Sequence, residues 1–542
     1  MRKIKRKIKV RRDKKSKQII LNHRTPIVSA GIFRQETRPN LILHQADWYD
    51  YGGKCYQAKE DQTLTSDVQQ FLDEALQKVK VQDKKGNVKE VLAPFNPRGA
   101  EVREVSFMLR NEVHLPKDQL SPPVFLNGHM SAKDARLIIP CQNGLLHLPT
   151  RKKFEHTPNF FSTYCLPINY DPKAPEPKLF LEFLHQIMGG RQHLIDGLQE
   201  AFGYTISQNR NRQKIFFLRG KKRSGKGTLM RVLGALCGDD LMTGNCAYPS
   251  MGVLGEKYGL ENCVNKLVIM VTDMTITKNT DMGLASERLK AISGQDPVDV
   301  RRMARIHLSG VKMPGQFWLA SNIIPNFGTS TDALNSRLLV WPFDVSFEGN
   351  EDIDLSEKLI TVESLTGILN WSLEGLDRLN ARGRFLESPE SVAAKSELLK
   401  LSNPVAAFIA DWCELGAGVW VDKDVLAWAY QDYCEAAGGL NPLSPSWFAN
   451  KLREAVDAMG GVISEGRRSS EIAQRPRPTF WAGIQLNPDF RVRYYQHDPD
   501  LAELFSGDRN EQSIDTIKTE RKSDAPIPRE RNDFGPASST MH

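Results

Sequence analysis

The segment KIFFLRGKKRSGKGTLMRVL constrains this chain more than any other, because it sets a β-rich run directly before Gly220 and a helix-forming run directly after Thr228. Gly220 and Gly225 permit a tight turn around Ser224 whose backbone N–H groups can face phosphates. Lys226 can reach the β and γ oxygens of a triphosphate, and the positive end of the following helix adds to the attraction. Strand, Gly-rich loop and helix together read as a phosphate-binding loop with Gly220, Ser224, Gly225, Lys226, Gly227 and Thr228 as nucleotide ligands. One position departs from the usual pattern. Where a Ser or Thr ordinarily ligates Mg²⁺ after the lysine, this chain has Gly227, and the hydroxyl comes one residue later at Thr228. The metal then depends on Thr228, on water and on a second, acidic motif. The same GKGT text occurs in nucleotide kinases, so the loop alone leaves kinase and motor both open.

A loop of this kind needs a parallel sheet, and residues 213–345 supply one: KIFFL, KLVIMV, QFWLAS and RLLVWPF alternate with helical segments. NKLVIMVTDM ends in Asp273, the expected place of a carboxylate that positions Mg²⁺ and the attacking water. Its neighbour is Met274 and not a second acid, so the base is Asp273 or a residue such as Glu287 or Asp296. QFWLASNIIPNF brings Asn322 to a strand tip, where its amide can bond the γ-phosphate or the attacking water. SRLLVWPF sets Arg337 before a strand, a position for an arginine finger. Between them, ERLKAISGQDPVDVRRMARIHLSGVKMPG reads as a helix end, a turn and a basic hairpin about Ser309 and Gly310.

The order of these segments resembles the superfamily-three helicases, in the phage and plasmid primase-helicase branch that includes satellite-phage replication proteins and the poxvirus primase-helicase. GKKRSGKGT is similar to its Walker A, KLVIMVTDM to its Walker B, LKAISGQDPVDVRR to its B-prime motif, FWLASNIIP to its motif C and SRLLVWPF to its arginine-finger segment. NGLLHLPTRKKFEHTPNFFSTYCLPINYDPKAPEP is similar to the region that precedes the helicase, and the likeness spans roughly residues 35 to 500. The resemblance implies an AAA+-like P-loop core, a hexameric ring on single-stranded DNA, and ATP with Mg²⁺ bound between subunits. By position it assigns ATP chemistry to Lys226, Thr228, Asp273, Asn322 and Arg337, and DNA contacts in the pore to Arg302, Arg305, His307 and Lys312. A separate primase or origin-binding protein is an expected partner. Residues 25–150 are short for a primase, and Asp47, Asp50 and Asp61 form no DxD pattern, so no priming is expected.

Around this core the chain reads as an α/β protein with further parts. Residues 1–17 carry eleven Lys/Arg and one Asp, a local +10 within a chain of net charge +8, which leaves the rest slightly acidic at −2. Residues 1–24 are therefore expected to be a disordered basic arm that holds phosphates by counterion release. Residues 25–150 mix β-like runs with one helical stretch near Val68 to Val79, a small α+β domain. Residues 151–212 read as a helical collar, 346–400 as a helical extension, and 506–542 as a disordered tail. In 401–505, two helices, an Arg-rich turn and a strand pair around PTFWAGIQL follow the order of a winged helix. There the second helix, near Ser446 to Val456, or Arg467 and Arg468 would contact duplex DNA. Eight scattered cysteines without a CxxC pair suggest free thiols. No apolar run approaches the length of a membrane span and no secretory signal begins the chain, so a bacterial cytoplasm is the expected location. Three functions compete: a replicative helicase, an initiator ring whose ATPase only switches assembly, and a nucleotide kinase. The last gives no role to the SNxxP strand end.

Overall fold

The computed structural model describes residues 8–82, 86–116, 122–239, 244–272, 274, 280–322, 334–402, 404–436, 442–467 and 479–495. They form a mixed α/β fold in two compact units, Met1–Ala407 and Phe408–His542. The centre of the first is a five-stranded sheet. We label its strands β1 (Ile215–Gly220), β2 (Cys246–Ala247), β3 (Val268–Val271), β6 (Gln316–Ser321) and β7 (Leu338–Phe343). The hairpin strands β4 (Val298–Val300) and β5 (Leu308–Val311) intervene in sequence. The sheet order is β2-β3-β6-β1-β7 and every pairing in it is parallel. Such a sheet is covered on both faces, which is why its strands read as unbroken apolar runs and not as alternation. Trp318, Phe216 and Trp341 cover one face, Phe217, Ile269 and Leu319 the other.

The first face is closed by helices α1 (Lys178–Ile187), α2 (Gln192–Ile206) and α5 (Val362–Arg382); α3 (Lys226–Cys237) and α4 (Met282–Gly294) follow β1 and β3 in the chain. Helices α2 and α5 cross backbone to backbone. A Cβ on Gly203 would sit 2.2 Å from the Ser372 carbonyl oxygen, and one on Gly375 would sit 2.5 Å from that of Gln199. Beside this crossing, the buried Glu200 of α2 accepts from Arg378 at 2.9 Å and also pairs with Arg382, both on α5. The segment 346–400 is therefore not an extension in its α5 part, which belongs to the core. The loop before β1 is pinned by Arg210, a buried guanidinium that donates to the carbonyls of Tyr204 and Pro314 at 2.8 Å and of Thr205 at 3.0 Å.

The N-terminal region departs from expectation in three ways. The basic arm is folded from Ile8 onward: Arg12 bridges Ile19, and Ile8, Val10 and Ile19 pack against the cluster around Phe33, Phe71 and Leu109. Apolar residues spaced among the lysines give the arm a face to bury, which net charge alone conceals; residues 1–7 lie outside the described set. The helix expected near 68–79 runs instead over Asp61–Asp73, and Leu76–Gln82 is a strand paired with Val88–Pro94. Lys78, Val79, Lys80 and Val81 alternate with the period of a strand. Helices Pro26–Glu36 and Gly99–Val113 were not expected. The boundary set at 150 also falls inside the core, because Ile139, Cys141 and Leu146 pack in the same cluster as α1 and α2.

The second unit opens with α6 (Pro404–Trp412), which carries the boundary, and continues with β8 (Cys413–Asp422), α7 (Lys423–Ala436), α8 (Pro445–Ala458), β9 (Ser464–Arg467) and β10 (Thr479–Leu486). The antiparallel order is β8-β10-β9. Tyr430 of α7 stacks on Phe448 of α8 with ring centroids 4.5 Å apart. The tail 506–542 lies outside the described residues, and no described helix is long and apolar enough to cross a membrane.

Candidate nucleotide-binding site

In-register pairing with β6 and β7 carries β1 to the C-terminal edge of the sheet, where Arg219 faces Ser321 and Gly220 faces Phe343. The chain then turns through Gly225, at φ +86°, into α3, whose first residue is Lys226. A side chain at Gly225 would be strained there and would put its Cβ 2.7 Å from Ile187 of α1. Helix α1 thus lies against the loop and brings Phe183 and Gln186 to it. The segment after β7 closes the other side. The Phe347 N–H donates to the Arg223 carbonyl at 2.9 Å, the Ser346 hydroxyl to that of Lys222 at 3.1 Å, and Arg223 pairs with Glu351 at 3.4 Å. These walls enclose a cleft of about 700 Å³ lined by Lys226, Gly227, Thr228, Arg231, Asn322 and Asp352 among others. Its size suits a nucleotide.

Lys226 is half-buried and folded back on its own loop, donating to the carbonyls of Gly220 at 2.8 Å and Lys221 at 2.5 Å and to the Ser224 hydroxyl at 3.0 Å. Among the described residues no carboxylate pairs with it, and burial pulls its pKa down to about 8. A desolvated ammonium with only neutral partners is a state that an arriving anion relieves. Thr228 lines the cleft, and Gly227 has no side-chain oxygen to offer a metal ion. No described group of three or more His, Cys, Asp or Glu residues could hold a metal by itself.

Asn322 directly follows β6, the strand lying between β1 and β3, and it lines the same cleft as Lys226. Asp273 lies outside the described residues. Strand β3 ends at Val271, opposite Leu319, and Met274 is buried. Glu287 is exposed on α4 and Asp296 exposed just beyond it; neither lines the cleft. Arg337 is at the other edge of the sheet. The Ile215 N–H donates to its carbonyl at 2.9 Å, so the full length of β1, about 20 Å at ~3.3 Å per residue, separates it from the loop. Its guanidinium donates to the Lys290 carbonyl and approaches the Ser293 hydroxyl at 3.5 Å, near the end of α4.

The basic hairpin turns at 301–307 and not at Ser309 and Gly310, which lie within β5. Gly310, at φ +61°, accommodates a bulge there and donates its N–H to Asp299 at 2.9 Å. Arg305, His307 and Lys312 are exposed, as are Met303 and Ile306. Arg302 is not: it is buried against Asp47 at 2.6 Å and presents no charge to solvent. In the second unit Arg467 ends β9, and Arg468 lies outside the described residues. On α8, Trp447 is exposed, whereas Arg453 covers the Trp481 ring and pairs with Glu465. Sequence reading overlooked Arg231 and the wall at Phe347–Ser356. The signal for Arg231 was present, since it is the one charged residue between Thr228 and Cys237.

Residues 30–189 match the family described as D5 N terminal like, and residues 218–337 match a family of unknown function, DUF5906. No curated protein matches the chain. Among solved structures, an apo form of the NrS-1 C-terminal region aligns at TM-score 0.42 and 9 % identity over 82 % of this chain and 96 % of that one. A second apo form aligns at 0.40 and 10 % over 84 % and 99 %. JCV helicase aligns at 0.26 and 16 % over 41 % and 64 %. The D5 match supports a phage-type, primase-helicase-like protein.

Proposed function

We propose that the chain is an ATP-driven replicative DNA helicase of a phage, plasmid or related mobile element, working as a ring; the carrying observation is the cleft that Lys226 and Asn322 both line at one edge of a parallel sheet. On this reading Lys226 leaves its loop carbonyls to hold the β and γ oxygens, and the N–H groups at the start of α3 hold the rest of the phosphate chain. Asn322, on the strand beside β1, orients the γ-phosphate or the attacking water. Mg²⁺, held by Thr228 and Asp273, neutralises phosphate charge when bound. Arg337 cannot serve its own cleft from the far edge of the sheet, so an arginine-finger role places it against the cleft of a neighbouring subunit.

The exposed hairpin residues Arg305, His307 and Lys312 are the proposed contacts to single-stranded DNA; Arg302 is withdrawn from that set by its burial. The order helix, strand, two helices and strand pair in the second unit supports reading it as a winged helix, with α8 and the residues Arg467 and Arg468 as its duplex-contacting part. Strand displacement and ATP hydrolysis measured on one preparation, with and without single-stranded DNA, test the reading. DNA-stimulated hydrolysis with displacement, both lost in Lys226→Ala, is expected. Hydrolysis without displacement on any forked substrate would instead support the initiator ring.

A further inference from the structure

Among the described residues, two of the cations that line the cleft, Lys222 in the loop and Arg231 on α3, make no ion pair and are not held by their own loop, and of the two only Arg231 stands on the helix. Glu351 pairs with Arg223 at 3.4 Å, Asp352 with Lys358 at 2.9 Å, and Lys226 is held by three oxygens of its own loop. Arg231 is exposed, lines the same cleft, and among the described residues has no carboxylate in ion-pair contact. Its Nε lies 3.4 Å from the Gly227 carbonyl oxygen, a weak contact. A cation in the opening turns of a helix stands against the positive end of that helix and beside a second cation, Lys226. An anion in the cleft removes both penalties.

The placement is also directional. Side chains on a helix lean toward its N-terminus, so Arg231 lies over the turn that starts at Gly227, and its Nε contact is with that residue. At Gly227 an added Cβ would meet nothing within 4 Å. The position that in other phosphate-binding loops carries a metal-ligating hydroxyl is here open space, and Arg231, one turn on, contacts the backbone carbonyl of that same residue.

We propose that Arg231 is a phosphate ligand of this cleft: its guanidinium crosses the space left free by Gly227 and bonds the terminal phosphoryl group of a nucleoside triphosphate, making the site discriminate triphosphate from diphosphate. The proposal rests on the nucleotide-binding reading of the cleft and adds to it a second cation supplied by the same subunit. A guanidinium offers several N–H donors in one plane and matches phosphate oxygens in pairs, which a single hydroxyl cannot.

The test is equilibrium binding of ATP and of ADP, each with Mg²⁺ and with EDTA, to the full chain and to Arg231→Ala, Arg231→Lys, Gly227→Thr and Lys226→Ala. Charge-assisted bonds of this kind correspond to about tenfold or more in affinity. Arg231→Ala is expected to weaken ATP by about that factor with little effect on ADP, in EDTA as well as in Mg²⁺, and Arg231→Lys to recover part of the loss. Gly227→Thr is expected to reduce the preference for ATP, because its branched side chain fills the path of the guanidinium. Thermal melts of each variant establish that the fold is retained, as expected for the exposed Gly227 and Arg231. Equal loss for ATP and ADP, or no loss, in a folded Arg231→Ala overturns the inference. Wild-type affinity for both nucleotides in Lys226→Ala would overturn the site itself, so the two failures are distinguishable.

Discussion

At the scale of single residues, Lys226 gives the most direct test. Its pKa in the free protein is lowered to about 8, and bound phosphate favours the protonated form. Nucleotide affinity should therefore be level below that pH and decline above it. By proton linkage the slope approaches about one logarithmic unit per pH unit, until the pKa of the complex is reached. Titrations of a fluorescent nucleotide between neutral and alkaline pH would show this, and a flat profile would contradict it. Arg210 is a test of a different kind, because it is buried with carbonyl partners only and burial lowers its pKa. Arg210→Ala leaves those carbonyls without their donor and should cost about 3 kcal/mol or more in chemical denaturation, in the range for breaking buried polar groups. The strand, turn and helix about Gly220–Thr228 were legible in the sequence because they are local: a few consecutive residues set the strand end, the glycine turn and the helix start. Arg302 was not, because its partner Asp47 is 255 positions away and nothing near Arg302 in the text marks it as buried.

At the scale of elements, the helix crossing at Gly203 and Gly375 shows what periodicity misses. The apolar spacing of QHLIDGLQEAFGYTI reveals a helix, whereas the reason for a glycine within it is the carbonyl of another helix 2.2 Å from where a Cβ would be. Gly203→Ala should force α2 and α5 apart. A loss of about 1–3 kcal/mol is expected from overpacking, despite the better helix propensity of alanine, and is measurable as a lower urea midpoint. The core strands were legible because strands buried on both faces are uniformly apolar. The N-terminal elements were less so, since short strands and helices there share one small core and each carries charges on its outer face. The hairpin turn was misplaced because Gly310 resembles a turn residue, whereas it serves a bulge within a strand.

At the scale of the whole molecule, the two units give a separable prediction. Residues 1–407 alone should retain nucleotide binding, and loss of 408–542 should lower duplex affinity at several salt concentrations if the second unit reads duplex DNA. Unchanged duplex affinity would assign that role elsewhere. The far-edge position of Arg337 yields the other test. Arg337→Ala and Lys226→Ala should each lose hydrolysis, and mixing them should restore part of it, since one kind of interface in a mixed ring joins an intact Arg337 to an intact Lys226. Absence of recovery in rings shown by native mass spectrometry to be mixed would leave Arg337 only its observed contacts at the end of α4.

The ion pair between Arg302 and Asp47 has a mechanical corollary. Arg302 is one residue from the exposed Met303, at the very root of the hairpin tip, and it is bolted to a strand of the N-terminal region. A pull on the tip is therefore not absorbed by a loose loop. It strains the buried pair that ties the root of the hairpin to the strand Asp47–Tyr51.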